Sequence, residues 1–286
     1  MTFCAGSGSE FRLRTAWLVA LFTTFTNIAA NAVDIDTYRE VLKAGDDVAL
    51  ARLLARDDGK PPLASGGETV LHLATSHNHA DNRPRLIEVL LAAGVPVDAR
   101  DGSGNTPLHW AAGFGCVPCV PVLLSGGADP DARRFDGGTP LHRAAPETAP
   151  LLLAAGADPL ARDGDGRVPL HTAYRGVDGL LVAGVDARDN YGLTPLHHAA
   201  LSGNLDQVDW LLANGANPAL ESTAVYAYSE DAPGDAWHST HDFDVGMRAY
   251  DIARWQHRRT RFNTSRYTAV LERLDRVTPR RGWFSR

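Results

Sequence analysis

"NTPLHWAAGFGCVPCVPVLLSGGADPDAR", Asn105 to Arg133, decides how the chain is read. It opens on Thr106-Pro107-Leu108-His109 and holds Cys116 and Cys119 in a C-x-x-C spacing, so it points either to a scaffold or to redox or metal chemistry. The first four residues describe a helix start. Threonine can accept a backbone N–H there, and proline suits the first helical position because its missing donor had no partner anyway. Leu108 then points inward, and Ala111 and Ala112 are small enough to let a neighbouring helix approach. A second apolar run, ending in Leu123-Leu124, closes at Gly127, where a left-handed backbone carries no Cβ penalty. The stretch therefore predicts two antiparallel helices and a turn.

The same signal recurs. It reads TVLH from Thr69, TPLH from Thr106 and Thr139, VPLH from Val168 and TPLH from Thr194, at intervals of 37, 33, 29 and 26 residues. Each instance is followed by a leucine run and a glycine turn at Gly94, Gly127, Gly156, Gly184 or Gly215, and then by a "D-A-R-D" type connection. Self-similarity at this period is the signature of a solenoid, in which each unit buries its apolar face only against its neighbours.

The pattern T-P-L-H-x-A followed by L-L-x-x-G-A resembles the ankyrin repeat, and it covers roughly residues 35–276. The resemblance implies an all-α solenoid of stacked helix-turn-helix units joined by β-turn or hairpin loops. The expected organisation is a leader over 1–32 and one repeat domain over 33–286. Within that domain we expect an opening cap at about 33–65 and units at 66–101, 102–134, 135–163, 164–189 and 190–222. An insertion over 223–246 and a degenerate closing cap over 247–278 complete it, the cap's last helix placing Val270, Leu271, Leu274 and Val277 on one face. The third and fourth full units are short between histidine and glycine, which predicts trimmed helices.

The composition, 44% apolar and 22% charged, is that of a globular protein, and the net charge of −6 is unevenly spread. Residues 33–247 carry 30 acids against 15 bases, whereas residues 248–286 carry 3 acids against 11 arginines. Arg12 and Arg14 precede the apolar run "AWLVALFTTFTNIAA", and Ala30-Asn31-Ala32 is a small-x-small site, the pattern of a cleaved secretory leader. We expect cleavage after Ala32 and a periplasmic or secreted mature protein; an uncleaved anchor is the alternative. No later segment is apolar and long enough to cross a bilayer. Lysine is nearly absent (Lys43 and Lys60) beside many arginines, which suits a GC-rich bacterial gene.

Among residues with chemical potential, Cys116 and Cys119 could be an incidental structural pair, a local disulfide, or a redox or metal site. A single C-x-x-C excludes a four-cysteine zinc site within one chain. His72, His109, His142, His171 and His197 occupy the repeat motif, and the resemblance implies that they tie adjacent turns through backbone hydrogen bonds. His77 and His79 sit in a lengthened connection and read as solvated. "DGDGRVPLHTAY", from Asp163, starts like a calcium loop but places Tyr174 where glutamate is required. No phosphate loop, H-E-x-x-H helix or G-x-S-x-G motif appears. The insertion mixes Tyr226, Tyr228, Trp237, His238, His241 and Phe243 with Asp231, Asp235, Asp242 and Asp244 and has no basic residue, so it could be an ordered flap, a partner contact or a metal site. The arginine-rich end could touch nucleic acid, anionic lipid or an acidic protein, and reads first as a solvated cap that partly neutralises the acidic insertion beside it.

The expected function is therefore a non-catalytic protein-protein interaction scaffold, monomeric and exported, that binds or inhibits a partner protein, without a cofactor, metal, nucleic acid or membrane insertion. The family's variable positions map to Ser103, Asn105 and Phe114, to Phe135 and Asp136, to Asp165, Arg167, Tyr174 and Arg175, and to Asn190, Tyr191 and Leu193. Of this set Phe114, Phe135, Asp136, Arg167, Tyr174, Arg175, Tyr191 and Leu193, with Trp237 of the insertion, are the expected partner-binding residues. Trp110 beside them reads as packing between units. The alternatives are a metal- or redox-dependent activity built from the 223–246 insertion or from Cys116 and Cys119, and a host-directed secreted effector.

Overall fold

The computed structural model describes residues 34–56, 61–76, 83–173, 175–223, 226–229, 240–243, 246–259 and 264–278. The leader, the His77/His79 connection, Tyr174 and Trp237 lie outside the described residues.

Helices occur in pairs along the chain. The opening cap holds α1 (Ile35–Ala44) and α2 (Asp47–Arg56), and the first full unit α3 (Val70–Thr75) and α4 (Arg83–Ala92). They are followed by α5 (Pro107–Gly113) and α6 (Cys119–Ser125), then α7 (Pro140–Arg143) and α8 (Ala149–Ala154). The next unit has α9 (Pro169–Thr172) and a 3₁₀ segment, Asp178–Ala183, and the fifth has α10 (Pro195–Ser202) and α11 (Leu205–Ala213). The closing cap is α12 (Ala249–Arg259) and α13 (Thr264–Val277). First helices stack on first helices, α1 to α3 to α5 to α7 to α9 to α10 to α12, and second helices pack on second helices from α2 to α4 to α6 to α8 and again from α11 to α13.

The core lies between the two layers. Leu71, Leu108, Leu141, Leu170 and Leu196, the motif leucines, are buried against Leu90, Leu123, Leu152, Leu180 and Leu211 of the second helices. Each fully buried leucine contributes about 1.5–3 kcal/mol relative to exposure. In the closing cap Tyr267, Val270 and Leu274 are buried, but Val277 emerges at the end of its helix and is exposed, short of the expected four-residue face. The five turn glycines all have positive φ, and a Cβ on any of them would meet nothing within 4 Å. They are required for backbone conformation and not for space. Gly104, also at positive φ, is required on both counts, because a Cβ there would lie 2.9 Å from the Phe135 backbone nitrogen.

The turns stack as well. The N–H of Gly102 donates to the Gly66 carbonyl, Phe135 to Ser103, Gly164 to Asp136, Asn190 to Asp165, and Thr223 to Tyr191. The insertion grows out of this row. β1 (Tyr226–Ser229) and β2 (Thr240–Phe243) pair antiparallel with Tyr226 opposite Phe243. At its base Ser222 N donates to the Met247 carbonyl and Gly246 N to the Ser222 carbonyl. The long segment therefore leaves and re-enters at a single turn, and the stack continues across it.

Candidate functional site: the face of turn tips and first helices

Two ladders hold this face. In the first, each motif imidazole bridges two units. His72 Nε2 lies 3.0 Å from the Asn105 carbonyl, His109 3.2 Å from Gly138, His142 2.9 Å from Arg167, His171 3.2 Å from Leu193, and His197 3.2 Å from Met247. A carbonyl only accepts, so Nε2 carries the proton and Nδ1 must accept. It does so from the backbone N–H at the helix start: Thr69, Thr106, Thr139, Val168 and Thr194, at 3.1–3.2 Å. The cap is thus completed by the imidazole, which explains why Val168 can replace threonine. Both nitrogens are used, and only the neutral ring can serve both. Burial accordingly pushes all five pKa values down, to about 4 for His109 and His197 and about 3 for His171.

The second ladder runs through the arginines of the D-A-R-D type connections. Arg100 Nη1 donates to the carbonyls of Gly104 and Arg133, and Arg133 to those of Gly137 and Arg162. Arg162 donates to Gly166 and Arg188, and Arg188 to Gly192 and Glu221. Each guanidinium closes its own turn and clasps the next unit.

Buried aspartates organise the turns. Asp101 Oδ1 accepts from Ser103 N and Asn105 N, both at 2.8 Å, and its Oδ2 accepts from Trp110 Nε1 at 2.9 Å. Asp189 accepts from Tyr191 N and Leu193 N, and its Oδ2 lies 2.9 Å from His198 Nε2. Burial alone would raise the Asp189 pKa, but the His198 bond and these N–H donors together hold it below the usual carboxylate range. Asp163 Oδ1 accepts from Asp165 N and Arg167 N, so the calcium-like motif spends its first carboxylate on its own turn.

The expected partner-binding residues divide. Phe135 is 74% exposed at a turn tip. Asp136 beside it pairs with Arg134 and accepts from Gly138 N. Arg167 pairs with Asp165, and the Tyr191 hydroxyl reaches the same aspartate at 3.5 Å. Phe114 stacks edge-on to Trp110, centroids 5.6 Å apart. Arg175 is paired at 3.5 Å with Asp206, both well exposed. Leu193 corrects the expectation. It is buried, packed with Leu201 and Ile252, because the closing cap's first helix covers it. Trp110, read as packing, is only partly buried. With Phe114, Asp101, Asn105, Glu68 and Arg143 it lines a recess of about 290 Å³.

Cys116 and Cys119 are joined as a disulfide, Cα atoms 5.3 Å apart, and both side chains are buried at the start of α6. A buried disulfide is a poor exchange partner, because an attacking thiolate needs access to a sulfur. Among the described residues no helix is long and apolar enough to cross a membrane.

Comparison with known proteins agrees with this geometry. The family model described as ankyrin repeats (3 copies) matches residues 40–134, 80–163 and 141–222, together well over half of the chain. An ankyrin-repeat protein of Pyrobaculum aerophilum is 38% identical over 94 residues, 32% of this chain and 34% of that one. Human NF-kappa-B inhibitor alpha is 45% identical over 53 residues, 18% of this chain and 16% of its own. Calmodulin-binding transcription activator 3 of Arabidopsis thaliana is 48% identical over 63 residues, 21% of this chain and 6% of its own. The chain thus spans from 6% to 34% of the length of these curated relatives. With five imidazoles bridging successive units and a family match across the same residues, the chain belongs to the ankyrin-repeat family, and its repeats form a protein-interaction scaffold.

Proposed function

We propose that the protein is a non-catalytic, exported binder that captures or inhibits one partner protein through the face of turn tips and first helices. The observation that supports this most is Phe135, a large aromatic side chain 74% exposed on a turn whose backbone is tied to both neighbouring turns. An exposed aromatic on a pre-ordered support loses little entropy on binding, and such residues dominate interface energies. Tyr191, Phe114 and Trp110 extend the aromatic strip along the same face. The share of each relative that is matched supports only the scaffold role, so the partner is to be found by experiment.

Export is supported by the Arg12/Arg14 apolar run with its Ala30-Asn31-Ala32 site and by the disulfide, which persists in oxidising compartments. N-terminal sequencing of protein from a periplasmic fraction should start at Val33. The redox alternative is disfavoured by the burial of both sulfurs, and a metal site built on the motif histidines by the use of both ring nitrogens.

The decisive experiment is capture from periplasmic extract with the mature chain, repeated with Phe135→Ala plus Tyr191→Ala. Loss of the captured protein with unchanged helical circular dichroism is the expected result. Full retention in the double variant would overturn the assignment of this face.

A further inference from the structure

The closing cap breaks the electrostatic pattern of the body. Residues 33–247 are acidic, 30 acids to 15 bases, while 248–286 carry 11 arginines against 3 acids. Three of these arginines meet on α12, which continues the first-helix layer. Arg254, Arg258 and Arg259, with Trp255, Met247 and Asp251, line a recess of about 340 Å³. Asp251 does not neutralise it, because its carboxylate accepts from the Arg248 backbone N–H at 3.1 Å and from Arg248 Nε at 3.2 Å. Arg259 lies over the Trp255 ring, 4.6 Å from the centroid. Arg254 and Arg258 are exposed, stand one helical turn apart, and make no ion pair among the described residues. Two adjacent guanidiniums over an apolar floor of Trp255 and Met247 fit a carboxylate flanked by an apolar side chain.

We propose that this recess seats a short acidic segment of the partner protein, Asp or Glu alternating with apolar residues. The inference rests on the protein-binding reading above and names the chemistry of the partner. Charge complementarity selects the occupant. A long polyanion or an anionic bilayer extends well beyond a recess of this size and would meet the acidic body, whereas a single acidic segment would not. The recess also has apolar walls, which a phosphate backbone does not use.

The test is fluorescence anisotropy on the full mature chain with a labelled Glu-Leu-Glu-Leu-Glu-Leu peptide. Its Gln-Leu counterpart, a 20-nucleotide single-stranded DNA and phosphatidylglycerol vesicles serve as rival probes. The Glu-Leu peptide should bind, weaken steeply with salt, and lose about tenfold in affinity for each of Arg254→Ser and Arg258→Ser, as expected for charge-assisted hydrogen bonds. Both side chains are exposed, so circular dichroism should not change. Binding of the Gln-Leu peptide as tightly, tighter binding of DNA or vesicles, or unchanged affinity in the double variant would overturn the proposal. Concentration-dependent self-association abolished by the same variants would also overturn it, since the occupant would then be a second copy of this chain. If Phe135→Ala plus Tyr191→Ala abolishes partner capture while the arginine variants leave it intact, this inference fails and the wider reading stands.

Discussion

Units 102–134 and 190–222 carry first helices of seven and eight residues and second helices of seven and nine, whereas units 135–163 and 164–189 carry first helices of only four. The second element of unit 164–189 is a 3₁₀ segment. The histidine and arginine ladders nevertheless pass through the short units unchanged. Register along the stack is therefore held by hydrogen bonds at the turns, and helix length is free to vary. What the short units lose in packing, neighbours supply. Thr148 Oγ1 donates to the Ala112 carbonyl at 2.8 Å, Thr172 Oγ1 donates to the His142 carbonyl at 2.6 Å, and Trp210 leans over Gly176.

The largest effect should come from acid. Each ladder imidazole is neutral in the fold, with its pKa pushed below 6.5, while the unfolded chain binds protons normally from about 6.5 downward. Below that pH the unfolded state holds more protons, so stability rises with pH and falls as pH drops. Each histidine contributes about 1.4 kcal/mol per pH unit between 6.5 and its folded value. Five together should lower the urea midpoint sharply between pH 6.5 and 5, ahead of carboxylate titration. Hydrogen exchange should show units 135–189 opening first, because they have the least helix to fall back on. A midpoint that stays flat down to pH 4.5 would refute the neutral-imidazole ladder.

Next in size is removal of a single rung. His142→Ala leaves the buried Thr139 N–H without its acceptor, cuts the Arg167 carbonyl back to its bond from the Asp163 N–H, and opens a cavity. The expected cost is about 2–4 kcal/mol by urea unfolding. His109→Ala in a full-length unit should cost a similar amount. A much milder result in the short unit would mean that helix packing, and not the ladder, sets register.

Gly176→Ala probes the compensation directly. Its Cβ would lie 2.2 Å from the Trp210 ring, an overlap expected to cost about 1–3 kcal/mol. Trp210→Leu in the same chain should recover part of that loss, and the two changes should be non-additive in a double-mutant cycle. Strict additivity would show that the tryptophan does not occupy the space left by the shortened unit.

Much of this was legible in the chain. The T-P-L-H type motif, even as TVLH or VPLH, located the first helices of the five full units, the intervals of 29 and 26 residues announced the trimmed units, and the five turn glycines marked the second-helix ends. The arginine ladder was not legible, because its acceptors are backbone carbonyls of the same turn and the next unit, and a main-chain oxygen leaves no mark in side-chain spacing. The pairs Asp101–Trp110 and Asp189–His198 share a nine-residue separation, and that repeated offset was the one signal that could have revealed them. Leu193 was misjudged because its equivalents, Asn105, Gly138 and Arg167, are not apolar. An apolar residue at that position, with Ile252 available in the closing helix, marks a covered site. The disulfide was left open because C-x-x-C spacing fits several chemistries until burial is known.

The smallest stability effects should fall on the surface proposed to bind, and this separates the two roles of the turns. Arg175→Ala removes an exposed 3.5 Å ion pair with Asp206, and Phe135→Ala removes a side chain already mostly in water. Each should change unfolding free energy by no more than about 0.5 kcal/mol. Phe135 does touch the fold, since its ring Cδ1 lies 2.8 Å from where a Cβ on Gly104 would be, but the turn there is held by backbone bonds that the substitution leaves in place. Thermal unfolding of both variants should therefore track the parent within about 2 °C, even though Phe135→Ala weakens partner capture. A loss of several degrees on removing Phe135 would show that the ring props the turn in the free protein, and its exposure would then no longer identify the binding face.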